Sequence, residues 1–448
     1  MVELAALVIL GILAQWVAWK TKTPAILPLI LIGLMVGPFS TLFTDDGSKW
    51  LEPIWNGEAG IFPGESLFYF VSLAIAVILF EGGLTLRKSE VGNIGPVIIK
   101  LISVGVVVTF FGAGLAAHFI YGFSWQISFL FSSLIIVTGP TVISPILRNI
   151  PLKKHVSSIL KWEGILIDPI GALIAVLMYE FIRVEGGQDF TRTALTEFGK
   201  ILLFGFTFGF TFAHILAQLI KRNIIPHYLL NVFTLATVLG VFVLADIFAH
   251  ESGLLAVVVM GMVMGNKDLP NIKELHYFKE SLSILLVSIL FILLAANITM
   301  QELQLIFNYQ SLLLFGVVAL VVRPLSVFLS STRSGLKLNE KIFLSWVGPR
   351  GIVAAGVASL LGLKLERIGV PGAEFVTPLV FMVVLCSVLL NAATARIFAK
   401  MVGVFVKNSE GILIVGASSF ARILDCCLIY NKGKQRLFTI IYDSNTII

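Results

Sequence analysis

Two apolar segments of this chain are interrupted by glycine and proline at the depth where a membrane is driest. The interruptions read Thr138-Gly139-Pro140-Thr141 and Gly348-Pro349-Arg350-Gly351. A third apolar segment carries a carboxylate, Asp168, in the run Trp162-Glu163-Gly164-Ile165-Leu166-Ile167-Asp168-Pro169. Hydrocarbon penalises an unsatisfied backbone group or a charge so heavily that such features persist mainly where they line a protein-enclosed cavity. Broken helices paired around an acid are the sequence mark of a secondary transporter.

With 57% of residues hydrophobic and 13% charged, a chain of 448 residues is excluded from the soluble globular class. Apolar windows able to cross ~30 Å of hydrocarbon fall near 2–19, 24–38, 66–86, 96–118, 127–148, 158–182, 198–219, 229–247, 252–265, 281–298, 310–330, 341–363 and 375–403. The ninth is short and the last is long enough to be two, so the expectation is an all-α polytopic membrane protein of about 13 transmembrane helices. Val2 to Trp19 has no basic leader or small-residue cleavage site and reads as a retained helix rather than a signal peptide. None of the three cysteines has metal-ligand spacing, which leaves them as packing thiols. The net charge of +6 belongs mostly to loops and does not point to nucleic acid.

Basic residues set a topology. With the N-terminus outside, about fifteen Lys and Arg fall in inside loops, among them Lys20, Arg87, Lys153, Lys221, Lys267 and Arg333. Outside loops then hold only Lys49, Arg183, Arg192, Lys364 and Arg367. The positive-inside rule therefore predicts an external N-terminus and a cytoplasmic C-terminal end, with the Trp-containing loop Phe39 to Glu65 as an outer cap. The interruptions occupy the fifth and twelfth spans, an odd offset that inverts direction, as expected of inverted-topology repeats with two unwound, crossing helices. At ~1.5 Å rise per residue, Asp168 lies about 15 Å into its span, Pro140 about 20 Å and Pro349 about 12 Å. All three fall near the middle of the slab.

A lone carboxylate that holds either a proton or a monovalent cation, never both, is sufficient chemistry for exchange, and Asp168 is the candidate. The competing reading is a structural acid paired with a base. Lys161, two turns earlier, is about 10 Å away, too far for a direct pair. Glu163 is turned about 140° from Asp168 and needs another partner. Arg323, in Leu320-Val321-Val322-Arg323-Pro324-Leu325, is the best intramembrane choice, and an interhelical ion pair of these two is more structural than ligand-binding. Carbonyls released around Thr138 and Gly139, with Thr141 beside them, can coordinate a cation, and Arg350 can balance meeting half-helix dipoles next to Pro349. Pro140 and Pro349 read equally as simple kinks when taken singly. Glu81, near the inner end of its span, lines an entry funnel or is a plain interfacial acid. The same two readings stand for Asp246, which clusters with Glu251 and Ser252 at the outer turn between the eighth and ninth spans.

Taken together, Phe80-Glu81-Gly82-Gly83-Leu84, Thr138-Gly139-Pro140, Glu163 to Asp168, Leu244-Ala245-Asp246 to Gly253, Arg323 and Trp346-Val347-Gly348-Pro349-Arg350-Gly351 resemble the sodium/proton antiporter family that includes NhaP-type and animal exchangers. The likeness covers roughly residues 5–400, so residues 1–405 are taken as the exchanger domain. The resemblance implies a core carrying the crossed helices, a dimerisation domain, a homodimer and elevator-like alternating access. It also implies that Asp168 carries the ion, that Glu163 pairs with Arg323, and that exchange is electroneutral, since Arg323 stands where electrogenic relatives carry lysine. Two positions depart from the family pattern. Ile167 precedes Asp168 where asparagine is usual, and Gly139 stands where the family has aspartate. With two polar side chains missing, the ligand set favours a weakly hydrated ion, shifting the expectation from sodium toward potassium. A regulated or degenerate site is the other reading of the same departures.

Residues 406–448 read differently. Glu410 to Ala421 has the order strand, tight turn, helix start, and a second strand, Leu437 to Tyr442, ends in Asp443. This resembles the opening of a TrkA-N or RCK nucleotide-binding domain of Rossmann type, with Gly416, Ser418 and Asp443 at the nucleotide positions. Its fingerprint keeps only Gly416 of the usual glycines. A fragment this short cannot bury its own core, so it reads as the incomplete start of such a domain. The functional expectation is a K+ and/or Na+/H+ antiporter in a plasma (bacterial inner) membrane, needing no cofactor and open to a regulatory nucleotide. A ligand-gated cation channel is the competing class, disfavoured because no TVGYG-like filter is present. An intramembrane enzyme would need a second acid or nucleophile opposed to Asp168.

Overall fold

Long apolar stretches leave the backbone no water to bond, and the chain answers with helix almost throughout. The computed structural model describes residues 2–406, apart from 22, 56, 58–59, 64–65, 140–141, 144–145, 148–149, 184–189, 268–271 and 307. In chain order the principal helices are α1 (Val2–Thr21), α2 (Ile26–Val36), α3 (Ser66–Thr85), α4 (Gly95–Tyr121), α5 (Trp125–Ile135), α6 (Lys154–Arg183) and α7 (Phe190–Lys221). There follow α8 (Leu230–Phe248), α9 (Ser252–Gly265), α10 (Ile272–Asn297), α11 (Tyr309–Ser330), α12 (Leu338–Trp346), α13 (Ile352–Ile368) and α14 (Val376–Val402). Among the described residues nine helices are long and apolar enough to cross a membrane, and α2, α5 and α9 are shorter apolar helices. The last window, long enough for two spans, is the single helix α14. β-Structure among the described residues is limited to two isolated bridges, Ile54 with Phe62 and Leu152 with Phe405.

The chain divides into Met1–Phe405 and Val406–Ile448. Of the second unit only Val406 is described, so the strand–turn–helix expected around Gly416, Ser418 and Asp443 lies outside the described residues.

Within the first unit, α9 packs against α3, α7 and α8, while α10 packs against α1, α2 and α3. The small-xxx-small spacing of Gly261 and Gly265 lets α9 lie backbone to backbone on α3. A Cβ at Gly261 would come within 2.4 Å of the Phe80 carbonyl oxygen, and one at Gly265 within 2.3 Å of that of Leu84. A second set, α4, α5, α6, α11, α12, α13 and α14, surrounds the two interruptions. Outside the helices, Lys49 Nζ donates to the carbonyls of Ala296 at 3.0 Å and Asn297 at 3.2 Å, capping the C-terminal end of α10.

Two helices of the second set carry a π-turn: Leu101–Gly105 in α4 and Val318–Val322 in α11. Such a turn frees carbonyls, and hydroxyls from α11 take them up. Ser326 Oγ donates to Gly105 O and Ser330 Oγ to Lys100 O, each at 3.1 Å. The π-turn in α11 ends immediately before Arg323. Its wider winding resets the helical register at this residue, the common position of π-bulges beside functional sites.

Candidate functional site

The first interruption follows α5. The chain leaves the helix at Ile136 and runs extended through Val137, Thr138 and Gly139. Helical bonding resumes as the Val142 and Ile143 N–H groups both donate to the Gly139 carbonyl at 3.2 Å. Pro140 and Thr141 lie outside the described residues. The second interruption, Val347 to Gly351, separates α12 from α13.

The two stretches meet backbone to backbone. Gly351 N–H donates to Val137 O at 3.3 Å, and a Cβ on Gly351 would lie 2.6 Å from the Gly139 Cα. Arg350, 3% exposed, donates through Nη1 to Ile136 O at 3.2 Å, placing its guanidinium at the carbonyl end of α5. The Arg350 backbone N–H donates to Ser387 Oγ of α14 at 3.0 Å. The carbonyls expected to be released for a cation are thus largely engaged: Ile136 by Arg350, Val137 by Gly351, and Gly139 by the second half-helix. Thr138 Oγ1 is buried and has no hydrogen-bond partner among the described residues.

Asp168 lies near the middle of α6, its fifteenth residue. The sequence window began at 158, but the helix begins at Lys154, which puts Asp168 about 21 Å from the helix start rather than 15 Å. The side chain is fully buried, and neither carboxylate oxygen has a hydrogen-bond partner among the described residues. One turn on, Gly171 lets α6 press against the first interruption. A Cβ there would fall 2.2 Å from Val137 Cγ2. Pro169 sits inside the same helix and leaves a backbone acceptor one turn earlier without its usual donor. Ile167 turns into an apolar cluster with Val106 and Ile136.

Glu163 and Arg323 are in contact. Nη1 of Arg323 meets Glu163 Oε1, and Nη2 donates to Oε2 at 3.0 Å and to the Val347 carbonyl at 3.2 Å. Both side chains are buried. The bidentate pair therefore ties α6 to α11 and grips the start of the second interruption. Lys161 is engaged elsewhere: Nζ donates to the Thr85 carbonyl at 2.6 Å and lies 3.6 Å from the Glu90 carboxylate.

The remaining acids lie on α3 and at the turn between α8 and α9. Glu81 is half-buried in the last turns of α3. Asp246 bonds within its own turn, its Oδ1 accepting from Glu251 N–H at 2.7 Å, while Ser252 Oγ donates to Ala245 O at 2.6 Å. Glu251 stands in the left-handed region at φ +68°, a strained place for a residue with a side chain. Burial first, then the neighbouring Asp246 carboxylate, pushes the Glu251 carboxyl up to about 7 against the pull of Lys364.

Three residues of α14 escaped the sequence reading. Ser387, Asn391 and Thr394 lie at intervals of four and three, on one face of a largely apolar helix. That spacing was the available signal. Ser387 holds Arg350 N–H, and Thr394 Oγ1 accepts from Trp346 Nε1 at 2.9 Å, so the face grips both ends of the second interruption.

A sequence profile described as "Sodium/hydrogen exchanger, transmembrane" matches residues 4–401. The chain is 24% identical over 416 residues to Na(+)/H(+) antiporter 1 of Methanocaldococcus jannaschii, covering 88% of this chain and 94% of that protein. It is 24% identical over 412 residues to the K(+)/H(+) antiporter NhaP of Alkalimonas amylolytica, covering 91% of this chain and 67% of that one. The solved structure of the sodium proton antiporter MjNhaP1 from M. jannaschii at pH 8 superimposes with a TM-score of 0.74 at 23% identity, over 90% of this chain and 99% of that one.

Proposed function

The chain belongs to the sodium/hydrogen exchanger family, and on that premise we infer that it exchanges a monovalent cation, K+ or Na+, for a proton across the membrane it spans. The observation that carries this reading is Asp168. It is a fully buried carboxylate with no hydrogen-bond partner among the described residues, one turn before Gly171, where α6 presses against an unwound stretch whose Thr138 hydroxyl also lacks a partner among the described residues. A buried acid that finds neither a cationic side chain nor a hydrogen bond among the described residues is best stabilised by a proton or a bound cation, and the two compete for the same oxygens.

Alternating access follows from that competition: Asp168 crosses neutral in either load, so the empty, charged form is the one held back. The Glu163–Arg323 pair is internally compensated and adds no transported charge, which supports one-for-one, electroneutral exchange. We place the N-terminus outside, the chain end in the cytoplasm and about thirteen crossings between them, from the distribution of Lys and Arg. The working unit is a homodimer with K+ or Na+ and H+ as its substrates. No cofactor enters this chemistry; a regulatory nucleotide belongs to the stretch around Gly416, Ser418 and Asp443.

The test is reconstitution into proteoliposomes with a trapped pH-sensitive dye, challenged in turn with Na+ and K+. Asp168→Asn is expected to abolish cation-driven proton release while remaining folded, since it removes the titratable group of the site. Continued coupling in that variant would overturn the assignment of Asp168 as carrier.

A further inference from the structure

Between α11, α14 and the second interruption lies a small chamber of about 20 Å³. Its polar lining is Arg323, Arg350, Ser387 and Asn391, and Gly348 forms part of its wall. Two of these groups are buried and have no hydrogen-bond partner among the described residues: the Nε–H of Arg323, and Oδ1 of Asn391, a residue 2% exposed. One is a donor and the other an acceptor. The other nitrogens of both residues are held in place by bonds elsewhere. Arg323 uses its Nη atoms on Glu163 and Val347, and Asn391 Nδ2 donates to Ser387 O at 2.7 Å, which fixes the amide with its oxygen free.

We propose that this chamber is a binding site for a single water molecule, which accepts from Arg323 Nε and donates to Asn391 Oδ1. Through it Asn391 is a positioning residue for the Glu163–Arg323 pair. The volume fits one water, which needs about 10–15 Å³ and two to four polar partners. A lone anion would answer Arg323 and Arg350 but would face the bare Asn391 oxygen; water answers donor and acceptor alike. The bridge also completes a pattern. Thr394 holds Trp346, Ser387 holds Arg350, and Asn391, between them on the same face, reaches the interruption at Val347 through Arg323. Gly348 keeps the space open, because a Cβ there would lie 2.6 Å from Arg323 Nε.

The structural arm of the test does not depend on transport. A cryo-EM map of the full chain, sharp enough to show ordered water, is expected to hold one peak within hydrogen-bond distance of both atoms, absent from Asn391→Leu. No peak, direct contact of the two side chains, or a peak that strengthens when chloride in the buffer is exchanged for bromide would each overturn the proposal. The functional arm rests on the exchange reading above and compares two substitutions of similar size. Leucine fills the volume but strands the donor; aspartate keeps an acceptor. Asn391→Leu is expected to raise the half-saturating cation concentration about tenfold, with Asn391→Asp recovering most of the loss. A packing role gives the reverse order and sinks the idea. In an Arg323→Lys background, which keeps the charge but lacks the Nε–H, Asn391→Leu should add nothing further; additive losses there would also overturn it.

Discussion

Gly351 crosses Gly139 so closely that a Cβ on the former would sit 2.6 Å from the Cα of the latter. The contact is backbone on backbone, with Gly139 N only 2.9 Å from the same point, so no side-chain movement can relieve it. The crossing is what brings Arg350 to the carbonyl end of α5 and Gly351 N–H to Val137.

Gly351→Ala should therefore force the two interruptions apart and break both bonds. Overpacking of this kind costs about 1–3 kcal/mol in well-packed interiors. The expected outcome is a folded protein with a lower thermal midpoint in detergent and strongly reduced exchange. Wild-type exchange and midpoint in Gly351→Ala would show that the crossing tolerates a methyl group and does not hold the site.

Glu163 and Arg323 should behave as one unit. Neutralising either leaves the other charge buried and unpaired, a loss of roughly 3–5 kcal/mol, whereas removing both removes the problem. The double variant Glu163→Gln, Arg323→Gln should recover much of the stability lost by each single variant. Thermal midpoints of the four proteins complete the cycle, and additive losses would rule the coupling out.

Much of this arrangement announces itself as exceptions in an apolar background. Asp168, Glu163 and Arg323 are charges where hydrocarbon tolerates none, and the Gly-Pro interruptions are breaks where backbone bonds are most needed. Their partners are another matter. That Ile136 and Val137 spend their carbonyls on Arg350 and Gly351 depends on how two unwound segments cross, and residues more than 200 positions apart carry no local sign of it. The grip of α14 was hidden differently. Serine, threonine and asparagine are ordinary in membrane helices, so Ser387, Asn391 and Thr394 stand out only by spacing. The start of α6 was misplaced because Lys154 to Ser157 is too polar to enter an apolar window, yet it continues the helix.

Glu251 supplies a pH dependence outside the spans. Its carboxyl is pushed up to about 7 from an ordinary value of 4.5, so the folded protein binds a proton there more tightly than the unfolded chain does. Its contribution to stability is full below the unfolded value and is lost as pH rises toward 7. Glu251→Gln removes the penalty of the ionised form. The variant should match the parent near pH 4.5 and exceed it by several degrees in thermal midpoint at pH 8. An unchanged difference across that range would show that the group does not titrate there.

Potassium should be exchanged at least as well as sodium. A small, strongly hydrated ion needs many oxygens to replace its water, and two positions that could supply them do not. Gly139 has no side chain, and its carbonyl already accepts from Val142 and Ile143. Ile167 is buried among Val106 and Ile136. Among the described residues, Asp168, Thr138 Oγ1 and the acceptor freed by Pro169 are oxygens still open in this part of the protein, a sparse set that suits the ion losing less on dehydration. Gly139→Asp with Ile167→Asn adds polar groups and should move preference toward sodium. The second substitution puts an amide into an apolar cluster, so it carries a stability cost of about 1–3 kcal/mol unless the amide finds a partner. Dye-dequenching with each ion alone decides the matter: robust exchange with sodium or lithium and none with potassium in the parent protein would refute the preference, while leaving cation/proton exchange itself in place.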